Sequence, residues 1–351
     1  MDKIRIQGYK SFRDLELTLK RINILIGANG SGKSNFLSFF ELLNQLYNQN
    51  LQLYVASNGG SQRFLHKGPK VTDSIRAHIA DGKNGYSFTL SEGDGHFFFA
   101  EEKLWYHHDA ITIATMGQEA RIKTYSGAEH GSYIKSYLHE IKKYHFHDTG
   151  KTSPFTHESS IENDKHELYA HGSNLASFLH HILQSHPVTY QRIIDVIRSV
   201  APYFSDFYYA PSPSGTLRLL WRDRYSENIY GPNDLSDGTL RFIALTTLFL
   251  QPRPPRVIII DEPELGLHPL AISKLAGLIK SVTRRGTQVI IATQSADLIS
   301  QFDAHDIITV DQRNGETSMR RLDEDSLGQW LADYTIGELW KQQILKGGQP
   351  A

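Results

Sequence analysis

The 351-residue chain has no cysteine, which excludes disulfides, thiolate chemistry and thiolate-bound zinc but leaves the compartment open. Charge of one sign is also missing: 37 Lys and Arg face 38 Asp and Glu, for a formal net charge of -1. No global basic field therefore draws the protein to nucleic acid or membrane, although a local basic face remains open. No apolar run approaches the ~18 residues of a membrane span, and "MDKIRIQGYK" has no signal-peptide core. A cytoplasmic protein without membrane contact is expected. Internal repeats and sustained heptads are absent too, which excludes a long coiled-coil arm. What is present is an ordinary globular composition, 40% apolar and 21% charged. The length suits one large domain or two closely linked ones.

"KIRIQGY", "LELTL" and "INILIG" alternate as strands, with "KSFRD" as a connecting turn. "GANGSGKSNFLSFFELLNQL" passes from loop into helix. "SIRAHIA", "YSFTLS" and "FFFAEEKLWY" are strands separated by the hairpin turns "DGKNG" and "EGDG". The pattern predicts a helix over 133–144, two helices divided by Pro187, and strands at "DFYYA" and "TLRLLWRD". The last third reads helix (about 238–250), strand "RVIIID", helix (about 269–284) and strand "TQVIIAT". Apolar strands alternating with helices indicate a parallel sheet covered on both faces, hence an α/β class.

"GANGSGKS", Gly27–Ser34, follows a strand and opens a helix, the context a phosphate-binding loop requires. The backbone of Gly27, Ala28, Asn29, Gly30, Ser31 and Gly32 can wrap phosphate oxygens, aided by the helix N-terminus. Lys33 then reaches the β- and γ-phosphates, the Ser34 hydroxyl binds Mg²⁺, and Asn35 follows in the first turn. ATP and Mg²⁺ are the expected ligands. "VIIIDEPELGLHP" supplies the acids: Asp261 ends a buried strand, where open α/β sheets place ligands, and would hold the metal. Glu262 is the expected general base for a water attacking the γ-phosphate. "NDLSDGTLRF" opens another helix, in which Ser236 caps and Gly238 leaves the backbone free, yet no lysine stands beside it. By itself this is an ordinary serine cap.

The strand with "DEPELGLHP", preceded by "LSDGTLR", resembles the P-loop NTPases of the ABC type, in the RecF/SMC branch. More closely it resembles stand-alone bacterial AAA-family ATPases related to the ATPase parts of OLD-type and other antiphage systems. The resemblance extends through "YHFHDT" and "NLASFLHHILQSH" and covers most of the chain. It implies one ABC-type head with an antiparallel β lobe and a helical lobe. Residues 1–50 and 229–310 would form the nucleotide-binding core, 51–110 the β-rich lobe, 111–228 the helical and signature lobe, and 311–351 a tail. It also implies a homodimer with shared ATP sites, in which Ser236, Asp237 and Gly238 of one head meet the γ-phosphate gripped by the other head's Lys33. Gln294, in "TQS", stands where many such ATPases have a switch histidine; it can sense a γ-phosphate by hydrogen bonding but cannot act as an imidazole. His268 matches the loop facing the partner head, Arg13 a basic residue brought to the nucleotide, and Gln62 is a candidate for the metal-contacting glutamine.

Other features stay open. His145, His147 and Asp148 suit a two-histidine, one-carboxylate metal site, or imidazoles bonded to backbone. "KSVTRRG" and "YQRIIDVIR" suit phosphate contacts or solvated helix faces. The function expected is a homodimeric ATPase switch in defence against phage or foreign DNA. It would work with a separate effector, a nuclease or other toxin, and with duplex DNA as a further partner. The alternatives are a RecF-like repair ATPase and an energy-coupling subunit of a transporter. Against the latter, about two hundred residues separate phosphate loop and signature. The aromatic tail "WLADYTIGELWKQQIL" is expected either to dock on the protein's own core or to meet the effector.

Overall fold

Along the chain, residues 3–18 make a tight antiparallel pair, β1 (Lys3–Tyr9) and β2 (Phe12–Thr18), before the buried strand β3 (Ile22–Ile26). The turn expected over "KSFRD" is confined to Lys10 and Ser11, since Phe12 already pairs with Tyr9. Helices α1 (Lys33–Tyr47) and α2 (Leu51–Ser57) follow. Four strands come next: β4 (Ser74–Asp81), β5 (Asn84–Gly93), β6 (His96–Tyr106) and β7 (Asp109–Ala114). Asp94 and Gly95, between β5 and β6, both have positive φ (52° and 82°), as a type I′ hairpin turn demands. The chain continues through α3 (Glu129–His139), β8 (Ile141–Tyr144), β9 (Ser159–Ser160), α4 (Leu175–Ser185) and α5 (Pro187–Val200). Short strands β10 (Phe204–Tyr208), β11 (Thr216–Leu217), β12 (Leu220–Asp223) and β13 (Ile229–Tyr230) precede α6 (Asp237–Leu250). The remaining elements are β14 (Val257–Asp261), α7 (Pro269–Arg284), β15 (Gln288–Thr293), α8 (Ala296–Ile299), β16 (Ile307–Arg313), β17 (Glu316–Arg321), α9 (Glu324–Leu327), α10 (Trp330–Asp333) and α11 (Ile336–Lys341). This computed structural model describes residues 1–127, 129–328 and 330–345.

The chain divides into two units, one of Met1–Lys142, Arg256–Ile259 and Gln288–Ala351, the other of Lys143–Pro255 and Ile260–Thr287. The first holds two six-stranded sheets. One is antiparallel, ordered β2-β1-β4-β5-β6-β7, so β1 and β2 belong with the β lobe strands. The other runs β17-β16-β3-β15-β14-β8, and the division between the units passes through β14 and β8. Here β3 is parallel to both neighbours, which is why "INILI" is buried on both faces and reads as a continuous apolar run. Helix α1 brings Phe36, Phe39, Phe40 and Leu43 into this unit's core, with edge-on contacts among the rings.

In the second unit α6 packs against α5 and α7 and is buried almost all round from Leu240 to Phe249. Its amphipathic neighbours each turn one apolar face inward, α5 with Tyr190, Ile193, Ile194 and Ile197. The short strands β10, β12 and β13 form a sheet in which Trp221 stacks between Phe204 and Tyr230. The helix expected over 133–144 ends earlier, and residues 141–144 are strand.

Candidate functional site

In the first unit, β3 delivers the chain at Gly27 and α1 takes it up at Lys33. Gly27 is small because a Cβ there would stand 2.4 Å from the Val310 carbonyl oxygen. Gly32, with φ +110°, would place a Cβ 2.2 Å from Thr317 Oγ1. Thr317 needs that closeness: its hydroxyl donates to the Ser31 carbonyl at 2.9 Å and contacts Ser11 Oγ at 2.8 Å. Asn35 Nδ2 also donates to Ser11 Oγ at 2.8 Å, so β17 and the β1–β2 turn support the loop from beneath.

The loop fits a phosphate. Lys33 is buried and donates to its own loop's carbonyls, Gly27 O at 2.6 Å and Ala28 O at 2.9 Å, neutral acceptors that a phosphate oxygen can displace because its charge makes the stronger hydrogen bond. Ser31 Oγ is buried without a hydrogen-bond partner among the described residues. The first turn of α1 has neither a side-chain cap nor an acid, leaving its N–H groups and dipole for an anion. Gln294, just past β15, donates to Asn29 Oδ1 at 2.7 Å, which brings the switch position to the loop. Ser34 and Gly30 are exposed. Arg13 lies exposed on β2 and Gln62 exposed in a single turn over Ser61–Arg63.

In the second unit Asp261 ends β14 and is half-buried, as is Glu262. Glu262 has φ 40°, a left-handed conformation that costs a non-glycine residue about 1–3 kcal/mol and tends to mark functional sites. Beyond it, Leu265 N–H bonds to Glu262 O, and Gly266 takes φ +76°. His268 caps α7, its Nδ1 accepting from Leu270 N–H at 3.3 Å. Ser236 caps α6, its Oγ accepting from Thr239 N–H at 3.2 Å, and both Ser236 and Asp237 are exposed. Gly238 is fixed by close approach: a Cβ would meet the Gly266 carbonyl oxygen at 2.3 Å. The structure thus brings the start of α6 against the loop that carries Glu262 and His268.

One participant was not foreseen from the sequence. Arg241 is buried, and burial lowers its pKa from the ordinary guanidinium value. Its Nε donates to Phe146 O at 2.9 Å, its Nη2 to His147 O at 3.0 Å, and its Nη1 to Leu265 O. The signal was a lone charge inside the apolar run "LRFIALTTLFL". His147 gives its Nε2–H to the Asp261 carbonyl at 3.0 Å, the backbone-bonded reading rather than the metal one. Among the described residues the single cluster of metal-binding groups is Asp303, His305 and Asp306 of the first unit, not the "YHFHDT" histidines. The basic runs are partly engaged as well, with Arg285 donating to Gln251 O and Pro252 O and Arg198 to Ser205 O.

A family model described as "AAA domain, putative AbiEii toxin, Type IV TA system" matches residues 118–300, and one described as "AAA ATPase domain" matches residues 1–90. The energy-coupling factor transporter ATP-binding protein EcfA of Methanocaldococcus jannaschii is 34% identical over 71 residues, 20% of this chain and 25% of that protein. The Old nuclease of Escherichia phage P2 is 40% identical over 65 residues, 18% of this chain and 11% of that protein. The matched stretches thus span a quarter or less of these two relatives. An Smc head solved with the C-terminal winged-helix domain of ScpA is similar in fold, with TM-score 0.63 at 16% identity, covering 93% of this chain and 99% of that one. Among the described residues no helix is long and apolar enough to cross a membrane.

Proposed function

The chain belongs to the AAA-domain ATPase family, and from that premise we propose that it is an ATP-driven switch whose two copies close around nucleotide and reopen on hydrolysis. One observation carries the reading. Gly238 backs onto Gly266, so Ser236, Asp237, Leu265, His268 and Leu270 share an exposed edge of the second unit. Leu265 and Leu270 are 50% and 49% exposed there, beside the exposed helix start that carries the Ser236 hydroxyl. Apolar surface flanking an exposed serine hydroxyl at a helix start suits a partner that brings its own nucleotide.

Within each head Lys33 would exchange the Gly27 and Ala28 carbonyls for β- and γ-phosphate oxygens, and the loop N–H groups would hold the rest. Gln294 would leave Asn29 to report the γ-phosphate. Glu262 would take the proton of the attacking water. Ser34 and Asp261, with Gln62 as a further candidate ligand, would hold Mg²⁺, which supplies neutralising charge for the phosphates. Ser236, with the N–H groups of Asp237 and Gly238, would complete the partner's site, and Arg13 and His268 would line it. A phage nuclease among the relatives and the family's toxin–antitoxin description support a place in defence, with the damaging step in a separate protein.

Mixing tests the shared site. Lys33→Ala and Ser236→Arg homodimers should each hydrolyse ATP at least about 100-fold more slowly than wild type. Mixed equally, half the dimers have one site with both parts intact, and turnover should return to at most about a quarter of wild type. Glu262→Gln should keep ATP and accumulate as a dimer. No rescue on mixing, with Glu262→Gln monomeric in ATP, would refute the reading.

A further inference from the structure

A charged side chain buried in an apolar helix loses hydration and must regain it from fixed partners. Arg241 has such partners, and they lie in two segments far apart in sequence. One turn into α6, its planar fork joins Phe146 and His147 on one side to Leu265 on the other. His147 passes the connection on, its ring N–H held 3.0 Å from the Asp261 carbonyl. At the start of the same helix, the Gly238–Gly266 approach leaves no slack. A shift of helix α6 along its axis therefore pulls on the backbone at Leu265 and, through His147, on the Asp261 carbonyl. Packing alone does not call for this arrangement, since a leucine or methionine would fill the helix face without needing three acceptors.

We propose that Arg241 and His147 are positioning residues that couple the two ATP sites of the closed dimer. Engagement of Ser236 by the partner's nucleotide draws on α6. The Arg241–His147 chain carries that pull to Asp261 and Glu262, which act on the head's own nucleotide. Hydrolysis in one site thereby depends on occupancy of the other. This inference rests on the shared-site reading above.

The test uses full-length protein. Arg241→Lys keeps the charge but not the fork, His147→Ala removes the donor, and His147→Gln retains one. In homodimers, Arg241→Lys and His147→Ala should bind fluorescent ATP as wild type does while kcat falls about tenfold. His147→Gln should recover most of that loss. The decisive arm places Arg241→Lys on the Ser236→Arg chain and mixes it with the Lys33→Ala chain. The working site then belongs to a head whose own signature is already disconnected, so a coupler has nothing to transmit. Turnover should match the parent mixture. If the same tenfold loss persists there, Arg241 is a structural staple and the coupling is wrong. If the parent mixture itself shows no turnover, the shared-site reading fails and takes the coupling with it. Should Arg241→Lys not fold, His147→Ala on the same chain makes the same comparison.

Discussion

At Gly32 two demands meet, a left-handed backbone and a contact with Thr317 that leaves no room for a methyl group. Gly32→Ala should therefore cost about 1–3 kcal/mol and displace either the loop or β17. Isothermal titration should show ATP binding weakened far more than the melting temperature alone would suggest, because the strain falls on the phosphate cradle. Ser31→Ala, which removes a buried hydroxyl without a described partner, should leave thermal stability unchanged or raised and lower ATP affinity.

A second residue, Glu102 on β6, has no part in nucleotide chemistry. Its fully buried carboxylate accepts from the N–H groups of Arg121 and Ile122 and from the Tyr86 hydroxyl. Burial raises its pKa above the ordinary 4.5 despite those donors. The folded state then binds more protons than the unfolded state above 4.5. Stability from this group is complete below that value and declines as pH rises through the raised pKa. Urea melts of Glu102→Gln across this window should show its stability relative to wild type improving as pH rises. A flat or falling difference would mean that the carboxylate is ionised without penalty.

At the level of elements, α11 is held on α8 by the smallness of one residue. A Cβ on Gly337 would stand 2.1 Å from the Ala296 carbonyl oxygen, and Ile336, Leu339 and Leu345 are buried around that contact. Thr335 and Glu338 close a capping box at the start of α11. Gly337→Val should undock the segment at a cost of about 2 kcal/mol or more, visible as a lower melting temperature and faster proteolysis beyond β17. Part of the aromatic tail thus docks on the unit's own core, while Trp330 and Tyr334 stay at its surface. The helices α1, α6 and α7 were legible because caps and apolar spacing are local in sequence. The end of α3 was not: residues 141–144 become strand, and β8 joins a sheet whose other members come later or earlier by more than a hundred residues. The same contrast holds for the candidate site. Phosphate loop, acids and signature announce themselves by residue type, whereas Arg241 bonds to backbone carbonyls at 146, 147 and 265, which carry no mark in the sequence.

For the whole molecule, a net charge of -1 leaves little long-range attraction for DNA. Duplex binding by fluorescence anisotropy should be weak without nucleotide and tighter in an ATP-bound Glu262→Gln dimer. That tighter binding should weaken about tenfold or more when salt is raised from about 50 to 200 mM, as phosphate contacts require. Binding that ignores both nucleotide and salt would contradict the switch.

The interleaving of the two units bears on how the chain is made. Strand β3 leaves the ribosome more than 260 residues before the first of its partners, Val289–Thr293 and Ile307–Thr309. The second unit closes at Thr287, before either partner strand exists. At about 5–20 residues per second, an apolar strand with two unpaired edges waits many seconds for its neighbours. Folding of the phosphate loop therefore waits for β15 and β16 to be made. A chain stalled before β15 and β16 should collect on chaperones with its second unit already folded, and nucleotide binding should appear only once both strands have been made.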